Sequence, residues 1–335
     1  MANVYGAWPL NVCQIGKETT PGTPVAATTI WRGPFGGWND DRQTETVEED
    51  VGTYGNSGRV VDTLLGIKIP AAEGVAHFEQ IPYWLEGCAG AATPSGAGPY
   101  TYDYSAPDGD TPPTLVTRTL RVGNKQVTTD VGIFSYCLPM EWKLSGKQGE
   151  LWKTSGTWMS PKRESSGTFT GSLSLPAWEP MQFGPTLLYI DASGGTIGTT
   201  QKTGVLMGFS LNYNPQIEWV PVGDGNLYAS AYKIGKPLLT FTLDLELQEN
   251  SGASVVAAER AIFESKAFRL IRLKTTGANS RAMTIDLCAQ YTNVSEYKKE
   301  GQNNTVVSFE GEAKYNATDA FIADFSFDLV LSALP

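Results

Sequence analysis

The chain has 335 residues and only one histidine, His77. That scarcity removes zinc sites built on two or more histidines, including the HExxH helix. A Ser-His-Asp triad would have to use His77, and no GxSxG elbow occurs for a nucleophile. No CxxC pair is present, so zinc ribbons and thioredoxin-type sites are unsupported. Cys13, Cys88, Cys137 and Cys288 lie far apart and read as buried or semi-buried free thiols, as a reducing cytosol favours. No phosphate-cradling GxxxxGK[ST] loop occurs, and nothing in the residues implies a cofactor or a metal. No apolar run approaches the ~18 residues of a membrane helix. Residues 1–16 lack a basic segment followed by an apolar core, so the chain is expected to be soluble where it is made, with no membrane partner. Charged residues are few, 18%, yet acids outnumber bases 35 to 25. The net charge of −10 argues against gripping duplex DNA through its phosphates.

Glycine (36), proline (20) and aromatics (13 Phe, 14 Tyr, 9 Trp) are plentiful, the composition of a folded, turn-rich chain. Period-two alternation dominates. Leu239, Phe241, Leu243, Leu245 and Leu247 alternate with Thr240, Thr242, Asp244, Glu246 and Gln248. Met283–Tyr291, Val307–Ala313 and Phe321–Leu331 repeat the pattern, each a strand with one apolar and one polar face. Helix signals are few. Residues 254–268 carry Val255, Ala258 and Ile262 on one helical face, with Ser254 as the cap. Residues 75–86 are weaker, because Pro82 disturbs the middle unless the helix begins there. Residues 38–59 and 89–113 read as long loops, the first strongly acidic.

The two halves share an order of elements. Leu64-Leu65 aligns with Leu238-Leu239 at an offset of 174 (238 − 64), and Gly146 and Gly156 align with Gly301 and Gly311 at 155 (311 − 156). The drop matches an insertion of about twenty residues in the first half, supplied by 89–113. A duplication therefore predicts a first domain over 1–192, a linker near 193–202 and a second domain over 203–335.

The N-terminal run Gly16-Lys17-Glu18-Thr19-Thr20-Pro21-Gly22-Thr23-Pro24-Val25-Ala26-Ala27-Thr28 resembles the opening of bacteriophage tail tube proteins. The acidic loop after the first strand, one flanking helix per domain and the terminal strand agree with that family. The resemblance implies a mainly β chain of two tandem β-sandwich domains, each with a flanking α-helix, whose strands join a ring-wide β-barrel. Six such domains complete a ring, so a duplicated chain implies a trimer with pseudo-sixfold symmetry. Stacked rings form the conduit for genome ejection in the virion tail of a long-tailed phage, here expected to be non-contractile. The implied partners are further copies of the chain, a tape measure protein, tail terminator or tip proteins, and DNA that passes without specific binding. The chain would be made in the host cytoplasm and is not expected to be an enzyme.

On this reading the polar strand faces supply lumen candidates: Asp244, Glu246, Glu310, Glu312, Asp324 and Asp328. An acidic wall repels phosphate, though alternation alone separates two faces without saying which lines the tube. Lys68 and Lys153 on the matching strands mean the wall need not be uniformly acidic. The acidic loop supplies candidates for contact with the next ring: Asp40, Asp41, Glu45, Glu48, Glu49 and Asp50. Its plain alternative is a solvated surface. His77 reads as structural, near a helix start. Two other functions stay open: a carbohydrate-binding β-sandwich using tryptophan platforms, and a glycoside hydrolase using paired carboxylates.

Overall fold

The computed structural model describes residues 5–49, 52, 55, 58–164, 167–249, 253–300 and 304–334. The chain is mainly β, 50% strand and 7% helix. Most strands join one 16-stranded sheet, and among the described residues it does not close into a barrel. Two short hairpins stand apart from it, Gln43–Thr46 with Val60–Leu64 and Ile217–Val220 with Ala231–Ile234.

One ladder order occurs twice. Asn11–Lys17, Arg118–Asn124, Val127–Lys147, Lys153–Ser160 and Ile67–Val75 pair in that order. Leu187–Ala192, Arg269–Thr276, Ala282–Val294, Asn304–Ala313 and Leu238–Glu246 pair in the same order. A bulge fixes the correspondence. Pro139 faces Trp158 and Glu141 faces Thr157, leaving Met140 as the extra residue. Tyr291 faces Gly311 and Asn293 faces Glu310, leaving Thr292. Trp158 thus corresponds to Gly311, an offset of 153 (311 − 158). Ile69 faces Trp158 and Phe241 faces Gly311, an offset of 172 (241 − 69). The expected glycine and leucine alignments are each two residues out. Identity matching missed an exchange of volume between neighbouring strands: Trp158 stacks on Trp84 at 4.5 Å, whereas a Cβ on Gly311 would lie 2.4 Å from the Phe241 ring.

The halves are joined edge to edge. Leu206–Asn214 pairs with Leu238–Glu246 on one side and with the end of Val127–Lys147 on the other, from Gly208 opposite Lys147 to Tyr213 opposite Trp142. Residues 89–113 are more than a loop. Tyr100–Ser105 forms a strand on the C-terminal strand Ala323–Leu329, with Tyr102 and Tyr104 buried and Asp103 and Ser105 exposed. That alternation is present in the sequence but is flanked by the Gly- and Pro-rich residues that suggested a loop.

The helices differ sharply in cover. Helix α1, Ile81–Cys88, takes Pro82 in its first turn, where no intrahelical bond is lost, and all eight of its residues are buried. Helix α2, Val255–Ser265, is capped by Ser254, which accepts from the Ala257 amide, and ends at Lys266 in the left-handed region. Only Val256 and Glu259 of α2 are buried, so the expected apolar face through Ala258 is corrected: Ala258 is exposed. Apolar side chains from both halves share one core, across which Trp142 and Tyr213 meet Phe325 at 6.0 and 6.1 Å.

Candidate assembly surface

The polar side of the central sheet runs without a break from one half to the other. Glu312, Thr240, Asn212 and Lys143 stand in one cross-strand row, and Glu310, Thr242, Ser210 and Ser145 in the next. Asp244 lies opposite Ser308 and Gly208, and Glu246 opposite Val306. Asp244, Glu246, Glu310 and Glu312 therefore share a face, because residues two apart on a strand point the same way and in-register partners follow them. The rows line a groove of about 450 Å³ that Glu73 and Lys143 border.

That face carries both signs of charge. Lys143 pairs with Glu141 at 3.2 Å, Lys153 with Glu150 at 3.2 Å, and Lys314 with Glu312 at 3.0 Å; Lys147 pairs with Glu300. Exposed pairs of this kind add little stability, about 0–1 kcal/mol each. Their effect is to leave the face hydrated, with these four lysines held by carboxylates and not free to hold a polyphosphate.

Asp324 and Asp328 lie elsewhere. Their strand packs Phe325 and Phe327 into the core from the other side, so the two acids point away from the Asp244 face. Asp324 faces Asp286 and Ser105. Burial pushes its carboxyl above the ordinary range, and Asp286, Asp108 and Asp103 push in the same direction. Asp328 accepts from Thr101 Oγ1 at 2.6 Å. The six lumen candidates thus divide four and two between opposite faces.

The acidic loop is organised as a hairpin. Glu45 faces Val61 and Thr46 faces Val60. Asp40 pairs with Arg42 at 3.3 Å, Arg42 with Asp62 at 3.3 Å, Asp41 with Lys68 at 2.9 Å and Glu49 with Arg59 at 2.8 Å. Glu48 is exposed beyond the hairpin strand, and Asp50 lies outside the described residues. Val60 and Val61 are 61% and 49% exposed. The second hairpin is covered instead: Ile217 is buried with Leu115, Leu138 and Met159, and Trp219 and Tyr232 pack on Tyr136.

Buried ion pairs were not foreseen. Glu86 of α1 binds Arg118, whose guanidinium lies 4.2 Å from the Tyr83 ring centroid. Glu259 of α2 binds Arg269 at 3.1 Å and accepts from the Tyr291 hydroxyl at 3.1 Å. Glu79 before α1 binds Arg281 of the second half. Glu86–Arg118 and Glu79–Arg281 join groups 32 and 202 residues apart, and Glu259–Arg269 joins a helix to the following strand 10 residues on, so no helical or strand spacing announces them.

His77 is buried beside Trp178 and bonds Gln80 Oε1 through Nδ1 at 3.0 Å; burial lowers its pKa. All four cysteines are buried and unpaired with one another. Six tryptophans, Trp31, Trp84, Trp142, Trp152, Trp158 and Trp178, are core residues and offer no platform to a sugar.

The family model for phage tail tube proteins matches residues 11–328. The chain belongs to the phage tail tube protein family. A tail tube protein has a structural role in the virion tail and associates with itself to form a tube. No curated protein matches this chain. For a tail tube protein, unpaired strand edges and an uncovered helix are the relevant chemistry, since both are places where another chain adds on.

Proposed function

We propose that this tail tube protein is a duplicated subunit, with tube-type units over 1–192 and 203–335 and a linker near 193–202. Three copies close a ring of pseudo-sixfold symmetry, and stacked rings form the conduit for genome ejection of a non-contractile tail. The observation that carries this reading is the Gly208–Tyr213 ladder on Trp142–Lys147, which makes one continuous sheet from two equivalent sets of strands. The sheet still ends in edges at Asn39–Asp40 and Lys298–Glu300, each paired on one side only among the described residues. Repeating the same junction between copies removes those edges.

The lumen is lined, on this proposal, by the face bearing Asp244, Glu246 and Glu310, with Glu312 at its border. Its balanced charges let DNA slide past without a binding site, while the overall acid excess discourages adhesion. Asp324 and Asp328 are assigned to the outer face. Glu48, Glu49 and Asp50, beyond the hairpin strand, are assigned to contact with the adjacent ring. A tape measure protein fills the lumen before ejection, and terminator or tip proteins cap the ends. Synthesis takes place in the host cytoplasm, and no residue is assigned catalysis.

Electron microscopy of purified assemblies tests this. Rings of three chains with sixfold-like density are expected. A chain that stays monomeric at high concentration, even with its tail initiator complex, overturns the reading.

A further inference from the structure

This inference rests on the proposed ring, and it concerns which surfaces meet between copies. The two free-standing hairpins occupy equivalent places. Ile217–Val220 follows the strand Leu206–Asn214, and Gln43–Thr46 follows Asn39–Asp40, which pairs with the equivalent edge of Ile67–Val75. Asn212 faces Thr240 and Asn39 faces Lys68, and Thr240 and Lys68 correspond at the 172 offset (240 − 68). By that correspondence Thr44 takes the place of Ile217.

The seat of the second hairpin has an equivalent too. Leu138 faces Met159 just before the bulge, as Gln290 faces Glu312 just before its counterpart. Leu115 lies three residues before Arg118, the buried partner of Glu86, and Lys266 lies three before Arg269, the buried partner of Glu259. The apolar seat Leu115, Leu138 and Met159 is therefore matched by Lys266, Gln290 and Glu312. These residues already stand together: Gln290 Nε2 donates to the Lys266 backbone carbonyl at 3.0 Å, and Lys314 Nζ donates to Gln290 Oε1 at 3.4 Å and pairs with Glu312 at 3.0 Å. Among the described residues no hairpin covers this matched seat as the second hairpin covers the first; Lys266 is exposed, and Gln290, Glu312 and Lys314 are half-buried.

We propose that the Gln43–Thr46/Val60–Leu64 hairpin of one copy docks on the Lys266, Gln290 and Lys314 seat of the next copy. Charge favours this occupant. The described residues of 40–62 hold six acids, Asp40, Asp41, Glu45, Glu48, Glu49 and Asp62, against Arg42 and Arg59. The seat presents Lys266 and Lys314, the latter already paired with Glu312 at 3.0 Å, and Lys298 and Lys299 lie exposed on the neighbouring edge. Val60, which stands on the same hairpin face as Thr44 and is 61% exposed, supplies apolar area that the charges steer into contact. The docking surface is continuous with the edge on which the strand junction between copies would form.

A cysteine pair reads the contact directly. Full-length chain carrying Thr44→Cys and Gln290→Cys is assembled and then oxidised; the four native cysteines are buried and serve as the internal control. Disulfide-linked dimers and trimers are expected only when both substitutions are present in the assembly. Rings that form but yield no linked species, or a link confined to single chains, overturn this docking and leave the ring reading intact. Chain that forms no rings under any condition overturns both. A charge exchange reads it independently of Gln290. Lys266→Glu is expected to raise the concentration needed for assembly about tenfold, and adding Asp62→Lys, on the Thr44 face of the hairpin, to restore it in part. An unchanged threshold in Lys266→Glu overturns the docking.

Discussion

The two hairpins are built alike and covered differently. Ile217–Val220/Ala231–Ile234 buries Ile217 on Leu115, Leu138 and Met159 and sets Trp219 against Tyr136. Gln43–Thr46/Val60–Leu64 stays in solvent and carries Thr44, Glu45 and Thr46 on one strand. The helices follow the same division, with α1 wholly buried and α2 buried at two positions. A contact made inside one chain forms as the chain folds, so an apolar seat brings no solubility cost. A contact reserved for another copy must stay wet until that copy arrives, and an exposed patch of leucine and methionine would aggregate first. Polar, oppositely charged surfaces meet that requirement and add steering during encounter.

The sharpest way to break the comparison is one charge in each hairpin. Ile217→Asp puts a carboxyl into an apolar seat, and the free subunit is expected to lose at least about 3 kcal/mol of stability. Val60→Asp, at an exposed site on the Thr44 face, is expected to change the stability of the free subunit by less than about 1 kcal/mol. Its effect falls on assembly, because the carboxyl would enter the contact between copies. Urea denaturation of unassembled subunit checks the first pair of values, and sedimentation of assemblies checks the second. Equal losses of subunit stability would show that the first hairpin is not a waiting arm.

The helices give the next largest contrast. Trp84 is fully buried against Trp31 and Trp158, and Trp84→Ala is expected to cost about 3–5 kcal/mol. Ile262 in α2 is half-buried, and Ile262→Ala is expected to cost only about 1 kcal/mol in the free subunit. If α2 gains cover on assembly, the Ile262→Ala penalty grows when the same measurement is made on intact tubes. A penalty that is the same in both states would mean that α2 faces solvent in the tube as well.

Much of the fold was legible because its strands are half-buried. Leu238–Glu246 alternates apolar and polar residues along its whole length, and that alternation is what one wet and one dry face require. Ser254 was legible as a cap because capping is local. The seat was not legible. Lys266, Gln290 and Lys314 come together through two strand pairings and a helix end, so their spacing in sequence carries no signal. The division of the six lumen acids between two faces was hidden for a related reason. Alternation says that Asp324 and Asp244 each oppose a core, but it does not say that they oppose it from opposite sides. The acidic hairpin was obscured because its strands are exposed on both faces, which erases the apolar beat that marks a strand.

The smallest expected effect separates the two helix starts by pH. Ser254 caps α2 with a group that does not titrate near neutrality. The entry to α1 uses His77. Gln80 Nε2 donates to the Arg32 carbonyl, so Gln80 Oε1 is the acceptor for His77 Nδ1, which carries a proton in either charge state of the ring. Burial and the nearby Arg32 lower the His77 pKa, against the opposing pull of Gln80 and Glu79. The unfolded chain therefore binds a proton on this residue before the folded chain does. The stability from neutral His77 is complete above the unfolded value near 6.5 and falls as pH drops from there toward the lower folded value. Denaturation midpoints of the free subunit between pH 8 and 5.5 are expected to decline more steeply in the native chain than in His77→Gln, which cannot titrate. Ser254→Ala is expected to lower the midpoint by the same amount at every pH in that range. Parallel curves for the native chain and His77→Gln would show that the α1 entry tolerates the charged ring, and the contrast between the helices would then rest on packing alone.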